Sequence, residues 1–492
     1  MTKIIDNKNL QALEPKVLWE QFRQLTLIPH PSGHEAAALD HIAEVGKSLG
    51  HEVIRNGGNV IIRVKATPGY ENLTPVILQG HSDMVPQKEN DSDHDFTKDP
   101  IETIVADGKV TANGTTLGAD NGIGLAAALA VIADPTIEHG PLEILATREE
   151  ETSMGGASAL EPDVLKGLML LNLDTESWGE ICIGCASGID VTATFKGTRV
   201  ETADTDVAVR VTLTGLKGGH SGMDINLGRA NANKLMARFL KFAAANYESM
   251  LADIDGGNMR NAIPRTASVV LTIDEEDYDD FMEAVDEFED MFRSEFSTTE
   301  PQLSFTAQKV DLPATVIDEM TADDLINALQ GAPNGPLKMN ADLPGLVETS
   351  SNMAIVKSEG DVITVKFLVR SSMESEREDV TSSLDSIFRL AGAEVETSGE
   401  YPGWKPDVTS KSLAAVKSSY EKLFGTEPEV TAVHAGLECG IMGETYPNWD
   451  MVSFGPTISH PHSPAESVDI KSVSLFWDLL RETLKNIPPM EK

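Results

Sequence analysis

Histidine and carboxylate side chains follow several apolar, strand-like runs of this chain, and they are the residues best suited to chemistry. The first such run, at residues 76–78, leads within a few residues to His81 and Asp83. In an extended segment these two side chains share one face, so the carboxylate can orient the imidazole as a metal ligand. Taken alone, the same spacing is also typical of a hydrogen-bonded pair in a loop.

Comparable groups follow four further segments that resemble strands or the start of a helix. They are Asp120 in the loop 118–122, the acidic triplet Glu149, Glu150 and Glu151 after residues 142–147, Asp174 after residues 168–173, and His460 and His462 after residues 451–454. Each group has an ordinary alternative as a helix cap, a turn residue or part of a solvated loop. Parallel strands, however, gather their C-terminal ends at one sheet edge. A mixed set of nitrogen and oxygen donors at that edge favours zinc, manganese or cobalt over magnesium.

The composition argues against several classes of partner. Acidic residues number 78 against 39 basic ones, so the formal charge of −39 repels nucleic acid and anionic membranes. No apolar run is long enough to cross a bilayer, and the first residues lack the apolar core of a signal peptide. The three cysteines are too few for a disulfide framework. We therefore expect a cytoplasmic protein, and its 492 residues predict two or more domains.

Helix-like and strand-like patterns alternate in the N-terminal part of the chain, which predicts an α/β fold. Residues 15–50 indicate two amphipathic helices separated by a proline-containing loop at 28–33. The other predicted elements are strands at 59–64, 76–80, 142–147, 168–173 and 451–454, a hairpin around Asp107-Gly108, and a helix at 125–133.

The middle of the chain has a different pattern, in which strands and helices alternate twice over. The first set is predicted at 207–214, 229–245, 266–273 and 278–296, and the second at 302–308, 321–329, 361–370 and 374–391. We infer an inserted α+β domain with an internal duplication. The predicted domains are therefore 1–188 and 405–492, which together form one domain, and the insertion 189–404.

Five stretches of the sequence resemble a known family. They are GHSDMVPQK at 80–88, HDFTKDP at 94–100, GTTLGADNGIG at 114–124, GEICIGCASGID at 179–190 and PHSPAE at 461–466. They are similar to the aminoacyl-histidine dipeptidases, also called cytosolic non-specific dipeptidases or peptidase D, of the co-catalytic di-zinc exopeptidases. The resemblance implies a zinc-exopeptidase-like catalytic domain with a mixed, mostly parallel sheet, interrupted by an enlarged lid domain.

The resemblance also implies a role for each group at the strand ends. Carried over by position, Asp120 bridges two zinc ions, or manganese or cobalt in their place. His81 and Asp174 complete one metal site, and Glu151 and His462 complete the other. Asp83 supports His81 from behind, and Glu150 is the general base. Ser153 stands where relatives usually carry glycine, so the register of the triplet Glu149–Glu151 is left open.

Four residues of the C-terminal two thirds match the family's substrate contacts. From the residues alone, His220 in the run GGHSG indicates a turn with a solvated imidazole, and Arg370 a surface arginine. The resemblance instead implies that His220 stabilises the oxyanion, that Asn261 and Arg370 hold the substrate, and that Gly436 makes a backbone contact to it. It also implies a homodimer, although a doubled lid leaves open whether His220 serves its own chain.

We predict metal-dependent hydrolysis of dipeptides, especially carnosine-like Xaa-His dipeptides. A tripeptidase or an N-acyl amino acid hydrolase with the same chemistry is the nearer alternative. The run Gly122-x-Gly124-x-x-Ala127 mimics a dinucleotide fingerprint and suggests a nicotinamide-dependent dehydrogenase. That reading is disfavoured because the fingerprint must follow a buried apolar strand, and residues 111–119 are polar. An acidic metal-binding or scaffold protein without activity is the remaining alternative.

Overall fold

The structure, a computed structural model, describes residues 5–490, and the chain divides into two units. The first unit contains the chain up to Gly184, Trp404–Ala432 and the chain from Leu437 onward. The second unit contains Cys185–Gly403 and the short segment Val433–Gly436. That residues 1–188 with 405–492 form one domain and residues 189–404 another stays a prediction.

The helices and strands of the described residues are numbered in chain order. The helices are α1 (Lys16–Thr26), α2 (Ala36–Ser48), α3 (Ala119–Ala133), α4 (Glu150–Ser153), α5 (Gly155–Ser158), α6 (Ala232–Tyr247), α7 (Tyr278–Glu295), α8 (Glu319–Gly331), α9 (Glu374–Leu390), α10 (Lys411–Phe424), α11 (Glu438–Thr445) and α12 (Ile470–Asn486). The strands are β1 (Glu52–Asn56), β2 (Asn59–Val64), β3 (Val76–His81), β4 (Thr103–Ala106), β5 (Lys109–Ala112), β6 (Leu142–Thr147), β7 (Met169–Asn172), β8 (Glu180–Cys185), β9 (Ser187–Lys196), β10 (Arg199–Glu201), β11 (Asp206–Thr214), β12 (Gly219–His220), β13 (Met250–Gly256), β14 (Ala262–Ile263), β15 (Ala267–Asp274), β16 (Ser304–Val310), β17 (Thr315–Ile317), β18 (Gly335–Met339), β19 (Val347–Glu359), β20 (Val362–Ser371), β21 (Glu394–Tyr401), β22 (Glu429–Val433), β23 (Asp450–Ser453), β24 (Ile458–Ser459) and β25 (Ser467–Asp469).

The first unit is built on a mixed sheet in the order β1-β2-β6-β3-β7-β23-β8-β22. The four central strands, β6, β3, β7 and β23, run parallel to one another. Every residue of β3, β6 and β7 is buried, as expected for parallel strands that are covered on both faces. The C-terminal ends of these strands therefore meet at one edge of the sheet.

Several predictions for this unit are confirmed, and others are corrected. The two N-terminal helices, the strands at 59–64, 76–80 and 142–147, and the hairpin at 103–112 lie where the sequence placed them. The sheet is mixed, as predicted, and its four central strands are parallel. Helix α3 begins at Ala119 rather than at residue 125, although Asp120 and Asn121 have non-helical backbone angles.

The second unit has a long antiparallel sheet in the order β16-β11-β15-β13-β19-β20-β9-β21, with β18 paired to β19. Its two halves repeat one topology. The first half follows the chain as β11-α6-β13-β15-α7-β16, and the second as β9-α8-β19-β20-α9-β21. The halves join where β13 pairs with β19. This arrangement supports the predicted internal duplication.

The predicted division between the two repeats was wrong. The strand at 302–308 was expected to open the second repeat, but β16 pairs with β11 and closes the first half. The second half is opened instead by β9, which precedes the whole first half in the chain. Strand β19 was missed because its buried positions include Ser350, Ser351 and Asn352, which hide the apolar alternation of a strand.

Aromatic side chains fill much of the core of the second unit. Phe239 is fully buried, and its ring makes edge-to-face contacts with Phe281, Phe288 and Phe305 at centroid distances of 5.7, 5.2 and 5.0 Å. These contacts connect α6, α7 and β16 across the face of the sheet.

Within residues 5–490, no helix has both the length and the apolar character that crossing a membrane requires.

Replacing Phe239 by alanine should lower the free energy of unfolding of the second unit by about 3–5 kcal/mol, because it leaves a cavity among three rings. Urea unfolding followed by far-ultraviolet circular dichroism measures this change. All five tryptophans lie in the first unit, so fluorescence reports that unit separately. Leu390→Ala, at a position that is 89% exposed, is the control and should change little. A loss below about 1 kcal/mol for Phe239→Ala would contradict this packing.

Candidate metal centre

Four of the candidate metal ligands of the first unit lie at or close to the end of a strand or the start of a helix, and the fifth lies in a loop. His81 is the last residue of β3, and Asp174 lies two residues beyond β7. Glu151 is in the first turn of α4, just after β6. Asp120 is in the first turn of α3, and His462 lies in the loop between β24 and β25. The structure thus brings these five residues, which are up to 381 positions apart in the chain, to one site.

The carboxylate of Asp120 lies between the two imidazoles. His81 Nε2 is 3.0 Å from Asp120 Oδ1 and 3.5 Å from Asp174 Oδ1. His462 Nε2 is 3.1 Å from Asp120 Oδ2 and 3.0 Å from Glu151 Oε2. Two triads, His81–Asp120–Asp174 and Asp120–Glu151–His462, each have one donor atom per residue within 4.8 Å of the others. Such triads with a shared carboxylate are suited to two neighbouring cations.

Asp83 lies behind His81 and also reaches the acidic triplet. His81 Nδ1 is 3.0 Å from the carbonyl oxygen of Asp83 and 3.6 Å from its carboxylate. The ring hydrogen bond therefore goes to the carbonyl oxygen of Asp83, whereas the sequence predicted its carboxylate as the partner. With Nδ1 donating, Nε2 keeps its lone pair for a metal ion. The Asp83 carboxylate accepts hydrogen bonds from the backbone N–H groups of Glu150 and Glu151.

The three acids of the triplet point in different directions. Glu149 forms an ion pair with Arg148, with 2.6 Å between Oε2 and Nη1. Glu151 contacts His462, and Glu150 has a carboxylate oxygen close to both His81 and Glu151. By geometry, Glu150 and Glu151 face the cluster, whereas Glu149 is neutralised beside it.

Burial and mutual repulsion make the carboxylates of this cluster hard to ionise together. Burial, followed by neighbouring carboxylates, raises the pKa of Glu150, Glu151 and Asp174 to about 7 in each case. Hydrogen bonds to Asp120 and Glu151 raise the pKa of His462 to about 11. Burial opposes protonation of His81, but the surrounding carboxylates outweigh it and its pKa is raised.

Two oxygens of the cluster are buried without a hydrogen-bond partner. They are Glu151 Oε1 and Asp174 Oδ1. Unpaired, buried carboxylate oxygens are costly, and a coordinated cation is one of the few groups that relieves the cost. The donor set therefore fits divalent metal ions, and nitrogen with oxygen donors is a set that zinc accepts.

The sequence analysis missed a layer of buried polar side chains that lie two residues before the ligands His81 and Asp174 in the chain. Gln79 precedes His81 by two residues in β3, so these two side chains share a strand face, and Asn172, the last residue of β7, precedes Asp174 by two. Glu438 Oε2 accepts hydrogen bonds from Gln79 Nε2 (2.7 Å) and Thr147 Oγ1 (2.9 Å), and Asn172 Nδ2 donates to Gln79. Burial raises the pKa of Glu438 to about 8. The two-residue spacing was the signal that could have revealed Gln79 and Asn172.

Two other carboxyl groups border the cluster and were also missed. Burial, and then Asp120, raises the pKa of Glu176 to about 9. Glu466 accepts four backbone hydrogen bonds from the residues that lead into Asp120. Nothing in the local sequence around Glu466 indicates this contact, because its partners lie almost 350 residues away.

His220 lies in the second unit, in the short strand β12 that pairs with β14. Its Nδ1 accepts hydrogen bonds from the backbone N–H groups of Gly222 (3.1 Å) and Met223 (3.0 Å). Burial, followed by the charge of Arg370, lowers the pKa of the ring. A neutral imidazole that accepts at Nδ1 must carry its proton at Nε2, so His220 is a neutral donor.

Ser221 connects the other predicted contacts of the second unit. Its N–H donates to the carbonyl oxygen of Asn261 (2.9 Å), and its hydroxyl group accepts from Arg370 Nη2 (3.4 Å). Arg370 Nη1 donates to the hydroxyl group of Tyr401 (2.5 Å).

Arg370 is only 4% exposed, so the reading as a surface arginine was wrong. Its Nε is buried without a hydrogen-bond partner, which leaves one donor of the guanidinium for another group. Gly436 also belongs to the second unit, in the segment Val433–Gly436.

Comparison with known proteins gives a consistent result. Residues 77–486 match the model of Peptidase family M20/M25/M40. The chain is 44% identical over 480 residues to the Cytosol non-specific dipeptidase of Escherichia coli strain K12, covering 97% of this chain and 99% of that relative. It also resembles the crystal structure of an aminoacylhistidine dipeptidase from Vibrio alginolyticus, with a TM-score of 0.94, 46% identity and coverage of 98% and 99% of the two chains. Aminopeptidase PepT from Bacillus cereus shares the fold, with a TM-score of 0.61 and 16% identity over 96% of this chain and 99% of that chain.

The metal-free protein should lose stability as the pH rises from 6 to 8.5. The folded state holds protons on Glu150, Glu151 and Asp174 up to about pH 7, whereas unfolded acids release them near pH 4, so the unfolding free energy falls across this window. The raised pKa of His462 adds a loss in the same direction above about pH 6.5. Thermal melts followed by tryptophan fluorescence measure the effect in the first unit.

Asp174→Asn is the matched variant for this test, because it removes one of the charges at nearly constant shape. Its melting temperature should depend less on pH than that of the wild type. A wild-type melting temperature that is constant or rises between pH 6 and 8.5 would show that the carboxylates are not forced together as described.

Proposed function

Because the chain belongs to peptidase family M20/M25/M40, we propose that it hydrolyses the peptide bond of dipeptides, in particular Xaa-His dipeptides, at a two-metal centre. The observation that carries the proposal is the pair of ligand triads that share Asp120. The names of the two relatives that match almost the whole chain, a non-specific dipeptidase and an aminoacylhistidine dipeptidase, support the choice of substrate.

The metal ligands follow from the two triads. His81, Asp120 and Asp174 would hold one ion, and Asp120, Glu151 and His462 the other. We propose zinc, with manganese or cobalt as the alternatives that metal analysis distinguishes. Bound cations would supply Lewis acidity, which lowers the pKa of water and polarises the scissile carbonyl group. They would also favour the ionised form of the carboxyl groups that burial and mutual repulsion otherwise make hard to ionise.

Glu150 is the proposed general base. It faces the cluster in a third group, with His81 and Glu151, and belongs to neither triad that shares Asp120. We therefore assign its carboxylate to proton transfer rather than to a metal ion. From this position an ionised carboxylate could take a proton from the attacking water and return that proton to the leaving amine. Asp83 holds the backbone of Glu150 and Glu151 in place for these roles.

The proposed substrate contacts lie in the second unit. His220, as a neutral Nε2–H donor, would stabilise the oxyanion of the tetrahedral intermediate. Arg370 would bind the C-terminal carboxylate of the dipeptide, with Tyr401 and Ser221 fixing its guanidinium group. Asn261 and the backbone of Gly436 complete the proposed contacts to the substrate.

We further propose a cytoplasmic homodimer. Size-exclusion chromatography with light scattering tests the dimer. If His220 acts on the partner's site, mixing inactive His220→Ala and Glu150→Gln chains should restore activity in mixed dimers. If it acts on its own site, the mixture should stay inactive.

A substrate panel tests the proposed reaction. The purified protein is given a Xaa-His dipeptide such as carnosine, a tripeptide that extends it, and its N-acetylated form, each with and without a metal chelator. We expect release of free amino acids from the dipeptide and loss of that activity with chelator. Preference for the tripeptide or for the N-acetylated form would favour the tripeptidase or N-acyl amino acid hydrolase instead, and activity that is indifferent to the chelator would reject the metal mechanism.

Glu150→Gln should lower kcat about 10²–10⁴-fold, because the amide cannot accept the proton of the attacking water. Steady-state kinetics on a dipeptide measure the loss, and metal analysis should show unchanged metal content. The matched control is Glu149→Gln, whose carboxylate is paired with Arg148 and should matter little. A larger loss in the Glu149 variant than in the Glu150 variant would move the general base by one position.

Arg370→Lys should raise KM about 10–100-fold with a smaller effect on kcat, because lysine cannot form the bidentate pair with a carboxylate. The wild type should also prefer a dipeptide over its C-terminal amide, and the variant should lose most of that preference. Arg389→Lys, at an exposed position, is the control. An unchanged preference in Arg370→Lys would exclude Arg370 as the carboxylate contact.

A further inference from the structure

Glu466 has an unusual set of hydrogen-bond partners. It is only 2% exposed, and its carboxylate accepts hydrogen bonds from four successive backbone N–H groups. Oε2 accepts from Leu117 (2.7 Å) and Gly118 (3.0 Å), and Oε1 accepts from Ala119 (2.8 Å) and Asp120 (3.2 Å). Both oxygens are therefore fully used, and the side chain has no lone pair directed at a cation.

The four donors belong to the segment that carries the shared carboxylate. Asp120 and Asn121 have non-helical backbone angles at the start of α3, so the normal helical pattern does not fix them. The carboxylate of Glu466 supplies the acceptors that this irregular turn lacks. Its negative charge also lies at the positive end of a long buried helix, where it is favoured.

Glu466 itself belongs to the segment that carries His462. Its N–H donates to the carbonyl oxygen of Ser463 (3.0 Å), which closes a turn just after His462. The next residues form β25, which pairs with β5. One side chain thus ties the loop of His462 to the loop of Asp120, whose side chains are 3.1 Å apart.

We propose that Glu466 is a positioning residue that sets the affinity of both metal sites by fixing Asp120 relative to His462. This inference rests on the proposed metal centre but assigns no ligand role to Glu466. Because Asp120 is common to both triads, displacement of its loop weakens both sites at once, whereas displacement of His462 weakens only one.

Glutamine at position 466 is the sharpest test, because it keeps the shape of the side chain. Its amide has one oxygen, so two of the four backbone N–H groups would face an NH2 group instead of an acceptor. The control is Glu300→Gln in the second unit. Glu300 is also buried, and its two oxygens accept from the N–H groups of Lys217 and Ala230, so the same mismatch arises there without a proposed ligand nearby.

The experiment titrates zinc alone into metal-free protein in competition with a chromophoric chelator, with thermal melts of each metal-free variant alongside. The wild type should bind two zinc ions per chain. Glu466→Gln should bind both at least tenfold more weakly, whereas Glu300→Gln should stay within twofold of the wild type even if its melting temperature falls. Wild-type affinity in Glu466→Gln, or equal weakening in both variants, would overturn the positioning role.

Failure of the metal centre itself is visible in the wild type, which would then bind fewer than two ions. If Glu466→Gln does not fold, Glu466→Asp decides, since it keeps the charge and both oxygens but is shorter by one methylene group. We expect it to bind zinc at least threefold more weakly than the wild type. Wild-type affinity in Glu466→Asp would also overturn the proposal.

Discussion

The site depends on several carboxylates that are removed from water where the parallel central strands of a mixed sheet end. Asp120, Glu150, Glu151 and Asp174 are brought together by strand and helix ends, and the imidazoles of His81 and His462 lie among them. Burial and mutual repulsion raise the pKa of Glu150, Glu151 and Asp174 to about 7, so without cations these acids are only partly ionised at neutral pH. Two divalent cations would stabilise the ionised form of these carboxylates. The buried negative charge, which destabilises the metal-free fold, is therefore what gives the site its affinity for metal ions.

Further polar groups hold the ligands from behind. Glu438 accepts hydrogen bonds from Gln79 and Thr147 and so connects the C-terminal ends of β3 and β6. Asp83 connects β3 to the start of α4, and Glu466 connects the loops of Asp120 and His462. Each of these carboxylates accepts at least two hydrogen bonds and is almost fully buried. Ligands held in this way lose little entropy on metal binding, which favours a preformed site.

Much of the site was predictable because it follows from strand ends. His81 and Asp174 come directly after apolar runs, so their convergence follows from the parallel order of β3 and β7. Asp120 and His462 could be assigned only through the resemblance, since neither the irregular turn of Asp120 nor the loop of His462 has a local pattern of its own. Glu438 and Glu466 were missed because their partners are hundreds of residues away. No local periodicity records such contacts.

The fold of the second unit was predictable in kind but not in order. The alternation of strands and helices indicated a duplicated α+β unit, yet β9 and β16 exchange the places that sequence order suggests. Strand pairing between distant segments is decided by packing rather than by local propensity. Polar residues buried in β19 are a second reason, because they are paired with other chain segments, as in the hydrogen bond between Ser350 and His434.

The most direct test of the two-metal centre is a crystal structure of the zinc-loaded protein with anomalous data at the zinc absorption edge. Two anomalous peaks should lie on either side of Asp120, one within coordination distance of His81 and Asp174 and the other within coordination distance of Glu151 and His462. A single peak, or peaks at other residues, would contradict the shared-carboxylate site.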